Sequence, residues 1–148
     1  MATTFTLVTD CAVDAAALFD AARDIGLHVE SMRGSRERAV GGVTAGRIGP
    51  GEHVTWRARH FGIRFTMTSR ITAFDRPRRF VDEQEAGPFR SFVHEHAFEE
   101  VPGGCRMVDT ITVASPILGV AAERLVLVPY LRRLIRRRNA VLARAASS

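Results

Sequence analysis

Phe92-Val93-His94-Glu95-His96-Ala97-Phe98 brings together the residue types best suited to chemistry in this chain. Strict alternation puts Phe92, His94, His96 and Phe98 on one face of a strand, and Val93, Glu95, Ala97 and Glu99 on the other. Burying the aromatic face takes two imidazoles inward, which predicts a lined cavity rather than a solid apolar core. A second strand brings His60 inward with Val54, Trp56 and Ala58. If the hairpin after Phe98 keeps the apolar residues of both arms on one face, Phe98 lies opposite Met107, His96 opposite Asp109, and His94 opposite Ile111.

That register makes His96 and Asp109 a candidate acid/base pair, the carboxylate fixing the imidazole tautomer and raising its basicity. His94 or His60 would then orient a ligand carbonyl or hydroxyl, an arrangement suited to aldol-type cyclisation or dehydration. The plainer alternative, which the sequence favours, is a satisfied polar pair that shapes a pocket without reacting. A metal site is a third reading, because His-x-His sets two imidazoles on one side of a strand and His60 or Asp109 could complete the set. Spacing fixes no third ligand, so neither metal nor cofactor is expected. No GxSxG elbow, Walker loop, GxGxxG fingerprint or CxxC pair occurs, which argues against serine hydrolases, nucleotide-dependent enzymes and zinc ribbons. Gly41-Gly42 and Gly49-Pro50-Gly51 read as turns.

The elements that must position these groups follow from periodicity. Phe5–Thr9 reads as a strand. Asp14 caps a helix to Arg23, and a second short helix covers Asp24–Met32 with Gly26 at the break. Strands follow at Ala39–Gly46, Val54–His60, Ile63–Phe74, Phe80–Glu85, Phe89–Val101 and Arg106–Ala114. On the Ile63–Phe74 strand, Ile63, Phe65, Met67 and Ile71 face inward. A long helix runs from Ile117 to about Ala146, with Leu118, Ala121, Ala122, Leu125, Val128, Leu131, Leu134, Ile135 and Leu142 as its apolar stripe and Pro129 as a kink. His28 and His53 are placed at the surface.

A chain of 148 residues is read as one domain, 1–148. No apolar run is long enough to span a bilayer, and Met1–Phe5 lacks the basic and apolar regions of a secretory signal, so a cytoplasmic location is expected. Cys11 and Cys105 read as unpaired thiols. The net charge is +5 and every basic residue outside the five histidines is arginine. Arg132, Arg133, Arg136, Arg137 and Arg138 read as a solvated helix face that complements the helix dipole, or as a site of transient contact with anionic lipid. Without interleaved exposed aromatics they do not read as a nucleic-acid surface.

The order strand, two short helices, six strands, long helix resembles the helix-grip fold of the SRPBCC superfamily, which includes START lipid-transfer domains and polyketide cyclase/dehydrase-like proteins. The resemblance is carried by Gly42-Val43-Thr44 and Gly46, Gly51-Glu52 with Val54-Thr55-Trp56, His60-Phe61-Gly62, Arg76-Pro77 with Phe80, Gly87-Pro88-Phe89, His94-Glu95-His96 with Phe98, Gly104 with Asp109, and Arg138-Asn139. It implies an α+β fold in which a curved antiparallel sheet of about seven strands wraps around a long C-terminal helix. It also implies a cavity between the two, lined by Trp56, His60, Phe65, Met67, Phe92, His94, His96, Phe98, Met107, Asp109, Ile111, Leu125 and Val128. The expected ligand is a small hydrophobic or amphipathic molecule, a lipid, polyketide or other aromatic or isoprenoid compound, held by a monomer or homodimer. The alternative activity is a cyclase or dehydratase using His96 and Asp109. The iron site and extra modules of Rieske oxygenases, which are metal-dependent relatives, are not found.

Overall fold

Seven runs of alternating side chains become, among the described residues, seven strands in one curved antiparallel sheet. The computed structural model describes residues 2–116 and 119–148, with Val120 described by its backbone alone. Its strands are β1 (Thr3–Cys11), β2 (Arg38–Gly42), β3 (His53–His60), β4 (Ile63–Asp75), β5 (Arg79–Ala86), β6 (Ser91–Val101) and β7 (Gly104–Ala114), in the sheet order β1-β7-β6-β5-β4-β3-β2. Helices α1 (Ala15–Ala22) and α2 (Ile25–Ser31) follow β1, and a 3₁₀ turn (Arg33–Ser35) leads into β2. The C-terminal helix consists of α3 (Val120–Ala122), a π-helical turn (Glu123–Leu127) and α4 (Val128–Ala146). Ile117 and Leu118, expected to begin that helix and its stripe, lie outside the described residues.

Local chemistry explains where the elements start and stop. Asp14 and Asp24 each accept a backbone N–H three residues on, from Ala17 at 2.8 Å and Leu27 at 3.0 Å, and so cap α1 and α2. The break between the helices therefore falls at Arg23-Asp24, and Gly26 sits inside α2 rather than at the break. β2 ends at Gly42, short of the expected Gly46, because Gly42 has φ +66 and a Cβ there would lie 2.3 Å from the His53 carbonyl oxygen.

Pro129 shapes the C-terminal helix. It has no N–H to give, and in a regular helix its ring would press on the carbonyl four residues earlier. The chain adapts one turn upstream, where Val128 N–H bonds back to the Glu123 oxygen across a widened turn, and Pro129 falls in the first turn of α4. The wider turn carries Leu125 off the expected apolar stripe, leaving it 77% exposed.

Two apolar clusters fix helices on the sheet. Phe19 of α1 is fully buried, its ring edge-on to Phe74, Phe80 and Phe98 at centroid distances of 5.3, 5.2 and 5.2 Å. Val128, Leu131 and Ile135 of α4 cover Phe5, Leu7, Ile111 and Val113 of β1 and β7. α1 is tied down further by Asp20, whose carboxylate binds Arg76 of the β4–β5 turn at 2.6 Å and Arg23 at 2.9 Å. The Arg76 guanidinium, with Arg23, holds the Asp20 carboxyl down at about 2, below its usual 3.8.

A folded-state pKa below the unfolded value stabilises above pH 4, and that contribution is lost as pH falls through 2. Asp20→Asn should therefore cost on the order of 1 to 2 kcal/mol at pH 7 once the partial exposure of the arginines is discounted. Urea titrations of the two proteins should differ fully at pH 6 and converge at about pH 2. A difference independent of pH would place the effect outside the ion pairs.

Candidate functional site

A cavity of about 420 Å³ lies between the sheet, α2 and the C-terminal helix. The alternation that makes each strand half-buried aims its lining inward: Val54, Trp56, Ala58 and His60 from β3, Phe65, Met67, Ser69 and Ile71 from β4, Phe80 and Asp82 from β5, and Phe92, His94 and His96 from β6. Ile25, His28 and Met32 of α2 and Tyr130, Leu131, Leu134, Ile135 and Arg138 of α4 close it. Pro88 and Phe89 line it from the β5–β6 connection.

The β6–β7 hairpin pairs Phe98 with Met107, His96 with Asp109 and His94 with Ile111, the register read from the sequence. Asp109 nevertheless makes its short hydrogen bond to His94, Oδ1 accepting from Nε2 at 2.7 Å, because the diagonal neighbour leans across the strand. His96 Nδ1 stands 3.3 Å from Asp109 Oδ1, and its Nε2 turns to Asp82 Oδ2 at 2.6 Å. Asp82 sits opposite His94 on β5. The two imidazoles stack with centroids 3.8 Å apart, and His96 stacks in turn on Phe80 at 4.1 Å.

Two α4 side chains complete the cluster from behind. Asn139 Nδ2 donates to Asp109 Oδ2 at 2.8 Å and to Thr9 Oγ1 at 3.0 Å. Arg138 reaches Asp109 Oδ1 at 3.5 Å, Asn139 Oδ1 at 3.1 Å, the Ala22 carbonyl at 3.4 Å and His96 Nδ1 at 3.3 Å. Nε2 protonation on both rings satisfies the contacts from His94 to Asp109, from His96 to Asp82 and from Arg138 to His96 Nδ1. It sets that bare Nδ1 beside Asp109 Oδ1, with Arg138 donating to both, and leaves His94 Nδ1 without a hydrogen-bond partner among the described residues.

The fields inside the cluster follow from its burial. Burial, with the neighbouring His96, lowers His94 to about 4, against the upward pull of its hydrogen bond to Asp109. Burial would raise both carboxyls. Hydrogen bonds from the histidines and the Arg138 charge reverse this, leaving Asp82 at about 2 and Asp109 well below the usual carboxylate range. Donor atoms of Asp82, His94 and His96 all lie within 4.8 Å of one another, close enough to reach a shared ion.

A second polar group sits elsewhere on the wall. Glu37 Oε1 is buried in an ion-pair contact with His28 Nε2 at 2.5 Å, and the His28 ring centroid lies 4.4 Å from that of Trp56. His60 Nδ1 meets the Tyr130 hydroxyl at 2.6 Å, and burial lowers the His60 pKa. Phe61, with φ +54, and Gly62, with φ +74, form the two-residue β3–β4 hairpin, which sets the exposed Phe61 ring 4.5 Å from Tyr130.

Of the residues expected to line the cavity, Trp56, His60, Phe65, Met67, Phe92, His94 and His96 do so. Phe98, Met107, Asp109, Ile111 and Val128 pack in the layer behind. Leu125 is at the surface, for the reason given above, and so is Ile63, 58% exposed near the hairpin tip. His28 lines the cavity instead of the exterior. The arginine run divides: Arg138 is buried, Arg132 lies over Phe5 and donates to the Thr6 carbonyl, and Arg133, Arg136 and Arg137 are exposed. Asp82, Glu37, Arg138 and Asn139 were missing from the candidate list. The spacing Leu131, Ile135, Arg138, Leu142 marks Arg138 as a stripe position, and alternation from Phe80 marks Asp82 as inward.

A model of the family described as polyketide cyclase/dehydrase and lipid transport matches residues 2–147. Among solved structures, the chain is similar to the Zhui aromatase/cyclase from a Streptomyces species, at 15% identity and a TM-score of 0.77, covering 99% of this chain and 94% of that one. A protein from Thermus thermophilus, TTHA0849, gives 18% identity and 0.76, with 99% and 100% covered. The di-domain ARO/CYC BexL of the BE-7585A biosynthetic pathway gives 19% and 0.75, with 99% of this chain and 50% of that one covered. A search of curated proteins finds no match. No helix among the described residues is long and apolar enough to cross a membrane.

Removing one member of a buried ion pair strands the other. Arg138→Met should therefore cost about 3 to 5 kcal/mol, and adding Asp109→Asn, which removes the charge and keeps an acceptor for His94 and Asn139, should recover part of it. Guanidinium unfolding of the two variants checks this, and a double variant no more stable than the single one would contradict it.

Proposed function

Since the chain belongs to the polyketide cyclase/dehydrase and lipid transport family, we propose that it binds a small hydrophobic or amphipathic molecule of lipid, polyketide or other aromatic or isoprenoid type. The observation that carries this is the cavity itself, about 420 Å³ with largely apolar and aromatic walls and a few convergent polar groups. His94 Nδ1 and the open oxygen of Asp82 offer acceptors to a ligand hydroxyl at its polar end. A ligand hydrogen bond there would give orientation, and the walls would give affinity.

A second reading, cyclisation or dehydration, is favoured by the 2.7 Å His94–Asp109 pair beside the cavity. It assigns the buttressed imidazole to His94, with His96 held by Asp82. The His94 environment supports binding over proton abstraction, because lowering the pKa from 6.5 to about 4 removes on the order of 3 kcal/mol of proton affinity.

Native mass spectrometry of freshly purified protein should show an adduct that denaturation releases. Ala58→Phe, which fills the cavity from β3, should reduce its occupancy at least tenfold while the thermal midpoint is retained. An adduct equally abundant in Ala58→Phe would move binding away from the cavity.

A further inference from the structure

The protein carries a net charge of +5, yet the charged side chains of its cavity wall that keep an open oxygen are carboxylates. Both guanidinium groups that reach the wall are engaged. Arg23 donates to Asp20 and the Ile48 carbonyl, and Arg138 is held by Asp109, Asn139 and Ala22. The carboxylates are less fully used. Asp82 gives one oxygen to His96 and keeps the other, with its side chain 24% exposed.

Glu37 is the more telling group. Its side chain is 10% exposed, it lines the cavity, and its Oε1 has His28 Nε2, at 2.5 Å, as its ion-pair partner among the described residues. A histidine is charged only when protonated, so a ligand ammonium would bring this carboxylate a permanent cationic donor. Trp56, its ring tilted 35° to that of His28, adds an aromatic surface of the kind that favours a cation.

We propose that the cavity selects cationic amphiphiles, an ammonium group on a hydrophobic body, with Glu37 receiving the ammonium. Asp82 adds negative potential at the other polar group, so a carboxylate headgroup would meet like charge at both. This rests on the reading of the cavity as a ligand site, and it names the charge class of the ligand. A fatty acid or other anionic amphiphile is the wrong occupant on the same grounds.

Decylamine, decanol and decanoate, each below its critical micelle concentration, form the test, with emission of the single tryptophan, Trp56, as readout. The expected result is a Kd for decylamine at least tenfold below that for decanoate, with decanol between them. Glu37→Gln should compress the amine preference to within about threefold without loss of decanol binding, which also shows that the variant is folded. Decanoate binding as tightly as decylamine, or a preference that survives in Glu37→Gln, overturns the inference and leaves the cavity reading standing. Failure of all three probes to bind overturns the cavity reading, and the inference with it.

Discussion

Asp109 is a carboxylate with no exposed surface in the middle of β7, and much of the molecule is arranged around keeping it there. A charge in that position is tolerable only when its oxygens are fully engaged. The engagement comes from two separate parts of the chain, His94 on β6 and Arg138 with Asn139 on α4, and Asn139 is bound in turn to Thr9 on β1. One carboxylate thus sets the helix against the sheet in rotation and in height. Apolar packing of Val128, Leu131 and Ile135 holds α4 down, but such contacts tolerate sliding better than a two-pronged hydrogen-bonded group does.

The cavity inherits its polarity from this constraint. His94 must turn Nε2 to Asp109, so its other nitrogen is left for whatever occupies the space, and His96 is held between Asp82 and Arg138 with its ring on Phe80. The result is a small polar end in a chamber otherwise walled by Trp56, Phe65, Met67, Phe89 and Phe92. His28 on α2 and Glu37, just before β2, supply a second polar group. Ligand recognition on this account is a matter of which acceptors remain open after the protein has satisfied its own charges.

Much of this was legible in the chain. Alternation over Phe92–Phe98 and Arg106–Ala114 specified which side chains face inward, and a one-residue error would have turned every one outward, so the hairpin register was strongly determined. What alternation cannot supply is reach. The exchange of Asp109 from His96 to His94 depends on ring tilt between diagonal neighbours. Arg138 was hidden by its company, since an arginine among four others reads as solvent-facing until its three- and four-residue spacing from Ile135 and Leu142 is counted. Leu125 was misplaced for the opposite reason: Pro129 promised a kink, and the widened turn that absorbs it rotates the residues upstream. Glu37 and His28 meet across a short helix and a turn, a contact with no sequence period.

Imidazole nitrogen NMR of the selectively labelled protein at neutral pH tests the central claim most directly, because it reads which nitrogen of His94 carries the proton. If Asp109 governs the site, His94 is neutral with Nε2 protonated and Nδ1 bare, and Asp109→Asn removes that bias. An imidazolium at His94, or an Nδ1-protonated ring, would show that Asp109 does not organise the cavity.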